Sequence, residues 1–255
     1  MNKLGCVLEL MVGALWVTGG PEGKEEDRDQ AEDLVELGFS FYQNRKIKDA
    51  IGYFKQALKV SERADIYNSI GFVYLNEKEY GKAVNAFKKS LSVDPGYIPA
   101  FYNLGVTMYY AKVYDSAVGI FEKITAAPEI DKKMIVNAHN EKGCAYDRKG
   151  LEQEAIKSFE TAIVLDDTFE RPYVNIANTY CKQGELDKAK AKYNKALKLN
   201  ENCASALNGL GVVCVEEENY QEAEKYFEKA LEKDSYCQSA YINKMILKKH
   251  GKISS

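Results

Sequence analysis

Along most of this chain apolar side chains recur at helical intervals, and polar breaks divide them into paired segments. Laid over that pattern is a recurring small residue: Gly38, Gly71, Gly105, Gly143, Ala177 and Gly211, at intervals of 33, 34, 38, 34 and 34. Twelve residues beyond each stands an alanine (Ala50, Ala83, Ala117, Ala155, Ala189, Ala223), and four beyond that an aromatic (Phe54, Phe87, Phe121, Phe159, Tyr193, Phe227). A unit of that length accommodates one helix, a turn and a second helix. The pattern therefore predicts an all-α chain of six helix pairs in tandem.

Glycine inside a helix costs about 1 kcal/mol against alanine, so its recurrence needs a packing reason. The expected reason is close approach. Where Gly71 or Gly105 faces Ala83 or Ala117, the two helices of a pair can lie near the short end of the usual ~8–10 Å separation. The aromatic is then expected to fill the wedge between one pair and the next.

The fullest copy of the unit is Tyr173, Ile176, Ala177, Tyr180, Gly184, Ala189, Tyr193 and Ala196. Two others are Tyr67, Ile70, Gly71, Tyr74, Ala83, Phe87, Pro95 and Phe101, Leu104, Gly105, Ala117, Phe121. These residues resemble the tetratricopeptide repeat, whose 34-position pattern carries Leu, Gly, Tyr, then Ala, an aromatic, Ala and Pro. The resemblance spans about 31 to 237 and implies a right-handed α-solenoid of tandem helix-turn-helix repeats, one quasi-linear body with nearest-neighbour cores. Repeat boundaries fall at about 31–63, 64–97, 98–135, 136–169, 170–203 and 204–237.

Departures from the pattern carry information. The turn proline survives only as Pro95, so the other turns depend on polar residues such as Glu62, Asp167, Glu201 and Ser235. The third repeat has Met108 for the usual tyrosine and Ile124 for the usual alanine, and extra residues follow within Thr125 to Val136. A longer loop or a slight bend is expected there. Residues 238–250 read as one more first helix, with Tyr241 in place, Met245 at the glycine position and Lys244 at the leucine position. That composition predicts a capping helix that solvates the open end, followed by a tail at 251–255.

Composition narrows the function classes. A net charge of −3 gives no electrostatic footprint for nucleic acid, and the basic cluster Lys244, Lys248, Lys249 and Lys252 suits the C-terminal end of a helix. The six cysteines form no CxxC pair, and repeat geometry keeps Cys203 and Cys237 beyond disulfide reach. Unpaired thiols point to a reducing cytoplasm.

Residues 1–20 open a second possibility. A lysine, an apolar run from Leu4 to Val17 and small residues through Gly20 are similar to a secretory signal, although Glu9 interrupts the run. Export, to the periplasm or beyond, is the alternative location. The stretch is too short and too charged for a firm membrane span. In another reading it is retained, because Leu4, Val7, Leu8, Met11, Val12 and Leu15 share one helical face. Such a helix could cap the first repeat or lie in the apolar half of the binding groove. Residues 21–30 are expected to form a charged, flexible linker.

The resemblance implies a binding surface on the first helix of each pair, read at six positions around the glycine. In the first three repeats those positions hold Val35, Phe39, Tyr42, Phe72, Leu75, Tyr102, Val106, Tyr109 and Tyr110, with Asn103 also at one of them. That half is expected to be apolar and aromatic. In the last three they hold Asn140, Cys144, Arg148, Arg171, Asn175, Asn178, Lys182, Asn208 and Val212, a polar, mildly basic half. An inward asparagine offers both donor and acceptor, and Asn103 and Asn175 fall where family members use amides to hold peptide main chain. The cations of a chaperone-tail clamp are missing.

Catalytic chemistry finds little support. His139 and His250 are the only histidines and lie far apart in sequence, and each glycine of the period is isolated within a helix rather than part of a phosphate loop. No cofactor or metal is implied. The reading is a non-enzymatic module that binds an extended peptide or a helix of a protein partner. Its alternative is a self-associating scaffold or assembly subunit, with homo-oligomers, placed in the cell envelope if residues 1–20 direct export.

Overall fold

The structure, a computed structural model, describes residues 25–127 and 130–253. Residues 1–20, with both readings of them, lie outside the described residues. Among the described residues there are thirteen helices and no strand. They are α1 (Glu25–Gln43), α2 (Ile47–Val60), α3 (Ala64–Asn76), α4 (Tyr80–Val93), α5 (Ile98–Tyr110), α6 (Tyr114–Ala126), α7 (Lys132–Lys149), α8 (Glu152–Leu165), α9 (Glu170–Lys182), α10 (Leu186–Leu199), α11 (Ala204–Glu216), α12 (Tyr220–Lys233) and α13 (Gln238–Lys249). They group into two compact units that divide between Ile130 and Asp131, within the irregular stretch. The first unit holds the pairs α1/α2, α3/α4 and α5/α6. The second holds α7/α8, α9/α10, α11/α12 and the single helix α13.

Each recurring glycine sits beneath the aromatic ring of its own repeat. A β-carbon on Gly38, Gly71, Gly143 or Gly211 would stand 2.6, 2.5, 2.5 or 2.4 Å from the ring of Phe54, Phe87, Phe159 or Phe227. The aromatic thus closes the pair rather than filling a wedge between pairs, and the ring is what the glycine makes room for. Every one of these rings is 0 or 1% exposed, and burying each contributes about 2 kcal/mol or more. Ala177 keeps its β-carbon, and there the ring of Tyr193 closes instead on Gly209 of the following repeat, where a β-carbon would stand 2.2 Å from Cζ.

The turn inside each pair has its own signature. Seven residues beyond the small residue, Arg45, Lys78, Lys112, Gly150, Gly184 and Glu218 all take positive φ, between 58° and 78°. Only two of the six are glycine, so four turns hold a side chain in the left-handed region, which costs about 1–2 kcal/mol. Between pairs, the residue that ends the second helix does the turning. Asp94, Asp166, Asn200 and Asp234 each accept a hydrogen bond from the backbone N–H two residues on, at 2.9–3.0 Å. The same side-chain bond forms whether or not the turn carries a proline, since Asp94 stands directly before Pro95.

Three expectations change at the ends of elements. The extra residues after the third repeat add a turn of helix: α7 runs for 18 residues against 13 in α3, α5, α9 and α11. Four residues are about one helical turn, so the insertion lengthens α7 at its N-terminal end by that amount. Asp131 caps the added turn by accepting from the N–H groups of Lys133 and Met134 at 2.9 and 3.3 Å. Helix α1 begins at Glu25, inside the stretch expected as linker; its acidic residues favour a helix N-terminus. Finally, α13 does not present a solvating face. Tyr241, Ile242, Met245 and Ile246 are 58, 47, 48 and 48% exposed.

Candidate functional site

The first helices α3, α5, α9 and α11 are the more buried members of their pairs, so their side chains either hold repeats together or remain open on one edge. In the first unit Phe72 and Tyr102, expected at the surface, are 0 and 5% exposed. Tyr102 packs edge-on against Phe121 with centroids 5.8 Å apart. Both belong to the packing of the unit. Phe39 is half-buried with its ring edge-on to Phe54 at 5.1 Å. Tyr42 is half-buried beside Phe72, and its hydroxyl oxygen accepts from Asn76 Nδ2 at 2.5 Å, one repeat away. Burial raises the Tyr42 pKa, and the Asn76 bond opposes that shift.

The accessible aromatic surface of this unit lies at the end of α5. Tyr109 packs between Tyr110 and Tyr114, with centroids 5.3 and 5.9 Å away. Tyr110 is 41% exposed and Val113, at the head of α6, is 46% exposed. Two rings in mutual contact, held at the junction of two helices, form a pre-ordered apolar ledge.

The asparagines form pairs between repeats. Asn103 Nδ2 donates to Asn68 Oδ1 at 3.0 Å in the first unit. In the second, Asn175 Nδ2 donates to Asn140 Oδ1 at 2.9 Å and Asn243 Nδ2 to Asn208 Oδ1 at 3.0 Å. Each pair spans 35 residues, with the donor always on the later helix. Asn68, Asn103 and Asn140 are 2, 3 and 2% exposed, so these amides satisfy each other inside the protein. Asn175 and Asn208 are half-buried.

Other inward positions follow the same offset. Arg171 donates to Asn137 Oδ1 at 2.7 Å, lies 3.7 Å from a Glu141 carboxylate oxygen, and stacks over Phe169 at 4.7 Å. Lys182 meets Asp147 at 2.6 Å. Asn178 is exposed, and its Oδ1 accepts the Tyr193 hydroxyl at 2.6 Å. That bond occupies the Asn178 amide oxygen. Cys181 Sγ lies 3.7 Å from the same hydroxyl, and burial pushes its thiol pKa up.

The partners Asn76, Asn137, Asp147 and Asn243 stand outside the expected set of site residues. Their signal was the 34- to 35-residue offset between polar residues on successive first helices. His139 is half-buried, its Nδ1 has no hydrogen-bond partner, and burial with nearby Lys142 lowers its pKa to about 4. Among the described residues no group of three or more His, Cys, Asp or Glu could hold a metal ion, and no disulfide joins any two of the five described cysteines. None of the described helices is long and apolar enough to cross a membrane.

Comparison with known proteins agrees with this architecture. Two family models described as tetratricopeptide repeat match residues 168–234, and residues 64–97 and 136–169, together about half of the chain. The human protein O-mannosyl-transferase TMTC3 is 26% identical over 82% of this chain, which spans 24% of that protein. A TPR repeat-containing protein of Methanocaldococcus jannaschii is 28% identical over 71% of this chain and 33% of its own length. The chain therefore spans about a quarter to a third of these curated relatives. Among solved structures, PilW, a type IV pilus biogenesis factor, aligns with a TM-score of 0.70 at 18% identity, covering 83% of this chain and 97% of that one. At that identity the likeness concerns the fold.

Proposed function

Because this chain belongs to the tetratricopeptide repeat family and so provides a protein-interaction scaffold, we propose that it is non-catalytic and binds an extended segment or helix of a partner protein along its first helices. The observation that carries this reading is the ledge formed by Tyr109, Tyr110 and Val113. It combines two preassembled rings with an exposed apolar residue, and tyrosine gives large contact area for little loss of side-chain freedom. In the second unit Asn178 and Arg171 would supply polar contacts to the partner's main chain. The paired asparagines would act indirectly, by fixing the spacing of the helices that carry the ledge.

A photo-crosslinking amino acid placed at position 110, and separately at Val164 on α8, tests this in cells of the source organism. Val164 is 85% exposed on a second helix and serves as the control. The reading expects a discrete crosslinked protein from position 110 that is lost when Tyr109 is also changed to Ala, and none from 164. Crosslinks at 164 that match those at 110 would overturn it.

A further inference from the structure

In α11 the residues equivalent to Tyr241 and Lys244 of α13, Leu207 and Leu210, are 7 and 4% exposed, and Gly211 lies under Phe227. On α13, Tyr241 and Met245, at the positions of Leu207 and Gly211, are about half exposed, as are their neighbours Ile242 and Ile246. A second helix of the ordinary kind cannot close over them. Its aromatic ring would occupy the space that the Met245 side chain fills, as the 2.4 Å approach between Phe227 and a β-carbon on Gly211 shows. This face needs a helix with a small or aliphatic contact residue instead of a ring. Four neighbouring large apolar side chains, each about half exposed, form the kind of surface patch that marks an interaction site.

Charge selects the occupant. Helix α13 carries Lys244, Lys248 and Lys249 and no acid. Lys244 is committed to Glu224 and Glu228 of α12. Helix α1 carries seven acidic residues and one arginine. Its outward stripe is Asp33, Glu36, Leu37 and Ser40, all exposed, with Leu37 at 45%. The equivalent residues of α3, Ile66, Ser69, Ile70 and Val73, are 6% exposed or less. The stripe is therefore a helix-packing face that is left open at α1.

We propose that α13 docks α1 of a second copy of this chain, antiparallel, so that α1 stands where a second helix would pack. That direction sets Leu37 on Met245, brings Asp33 and Glu36 to Lys248 and Lys249, and places the acidic start of one helix beside the basic end of the other, which the helix dipoles also favour. Because different surfaces meet, the contact repeats head to tail and grows beyond a dimer unless it closes into a ring.

Sedimentation velocity over a range of concentrations reads this out for the full chain. The wild type is expected to form species larger than a dimer, with association at least tenfold weaker at about 0.5 M salt, where exposed charges are screened. Glu36→Lys and Lys248→Glu are each expected to abolish assembly while keeping the wild-type circular dichroism melt. An equimolar mixture of the two variants should restore assembly. A wild type that stays monomeric, a dimer indifferent to Glu36→Lys, or a mixture that does not reassociate would overturn the proposal. None of these outcomes bears on crosslinking at position 110, so the two readings fail separately.

Discussion

Asn175 on α9 donates its side-chain N–H to the carbonyl oxygen of Asn140 on α7 at 2.9 Å, across 35 residues of chain. The same contact joins Asn103 to Asn68 and Asn243 to Asn208. An amide row that could hold a ligand's backbone is thereby turned inward and links successive first helices. In the proposed function, recognition is assigned instead to side chains at the ends of those helices.

Removing one amide should therefore act on stability. In Asn103→Ala the Asn68 carbonyl, in a residue 2% exposed, loses its partner, and a buried unsatisfied polar group costs about 1–3 kcal/mol. Urea unfolding should show a loss of that size. A change below about 0.5 kcal/mol would mean that the pair contributes little.

Glycines in equally helical positions should respond with opposite signs. Gly71→Ala drives a β-carbon to 2.5 Å from the Phe87 ring, and overpacking of a buried site costs about 1–3 kcal/mol. Gly119, inside α6, has nothing within 4 Å of such a carbon; Gly119→Ala should stabilise by about 0.5–1 kcal/mol. Thermal melts of the two variants check the contrast.

Lys78 holds a φ of 61° in the turn between α3 and α4. Lys78→Gly removes the steric cost of that conformation, about 1–2 kcal/mol, against a loss of about 0.5–1 kcal/mol in backbone entropy. The expected outcome is a small net gain in stability in urea unfolding, whereas Lys78→Ala should give none.

His139 makes stability depend on pH. Burial holds its folded pKa at about 4, below the ordinary 6.5, so the native imidazole stays neutral where the unfolded one charges. As pH falls through 6.5 toward 4, the unfolded state binds a proton that the native state refuses, and stability drops. Above pH 7 the group contributes no slope. Replacing it by Phe should flatten the decline between pH 7 and 5, measured by unfolding free energy; an unchanged slope would remove His139 as its cause.

The helix pairs were legible because backbone packing imposes a period: Gly71, Ala83 and Phe87 cannot vary freely when a ring must lie on a helix axis. What the period did not reveal was which inward residue stays open. Phe72 and Tyr110 both occupy positions that the family pattern assigns to the binding surface, yet one is 0% and the other 41% exposed. Exposure there depends on neighbours a repeat away, which a single repeat's pattern does not specify. The added turn of α7 was missed for a related reason. Pro128 and the alanines before it read as a loop, while the four-residue increment itself matched a helical turn.

The most direct test of the account is the affinity of the segment crosslinked at position 110, measured by calorimetry against wild type, the Tyr109→Ala/Tyr110→Ala double variant and Asn103→Ala. The account predicts at least tenfold weaker binding for the double variant with its melting temperature kept. It predicts affinity within about twofold of wild type for Asn103→Ala below its melting transition. Tight binding by the double variant together with lost binding by Asn103→Ala would contradict it, because recognition would then reside in the amides.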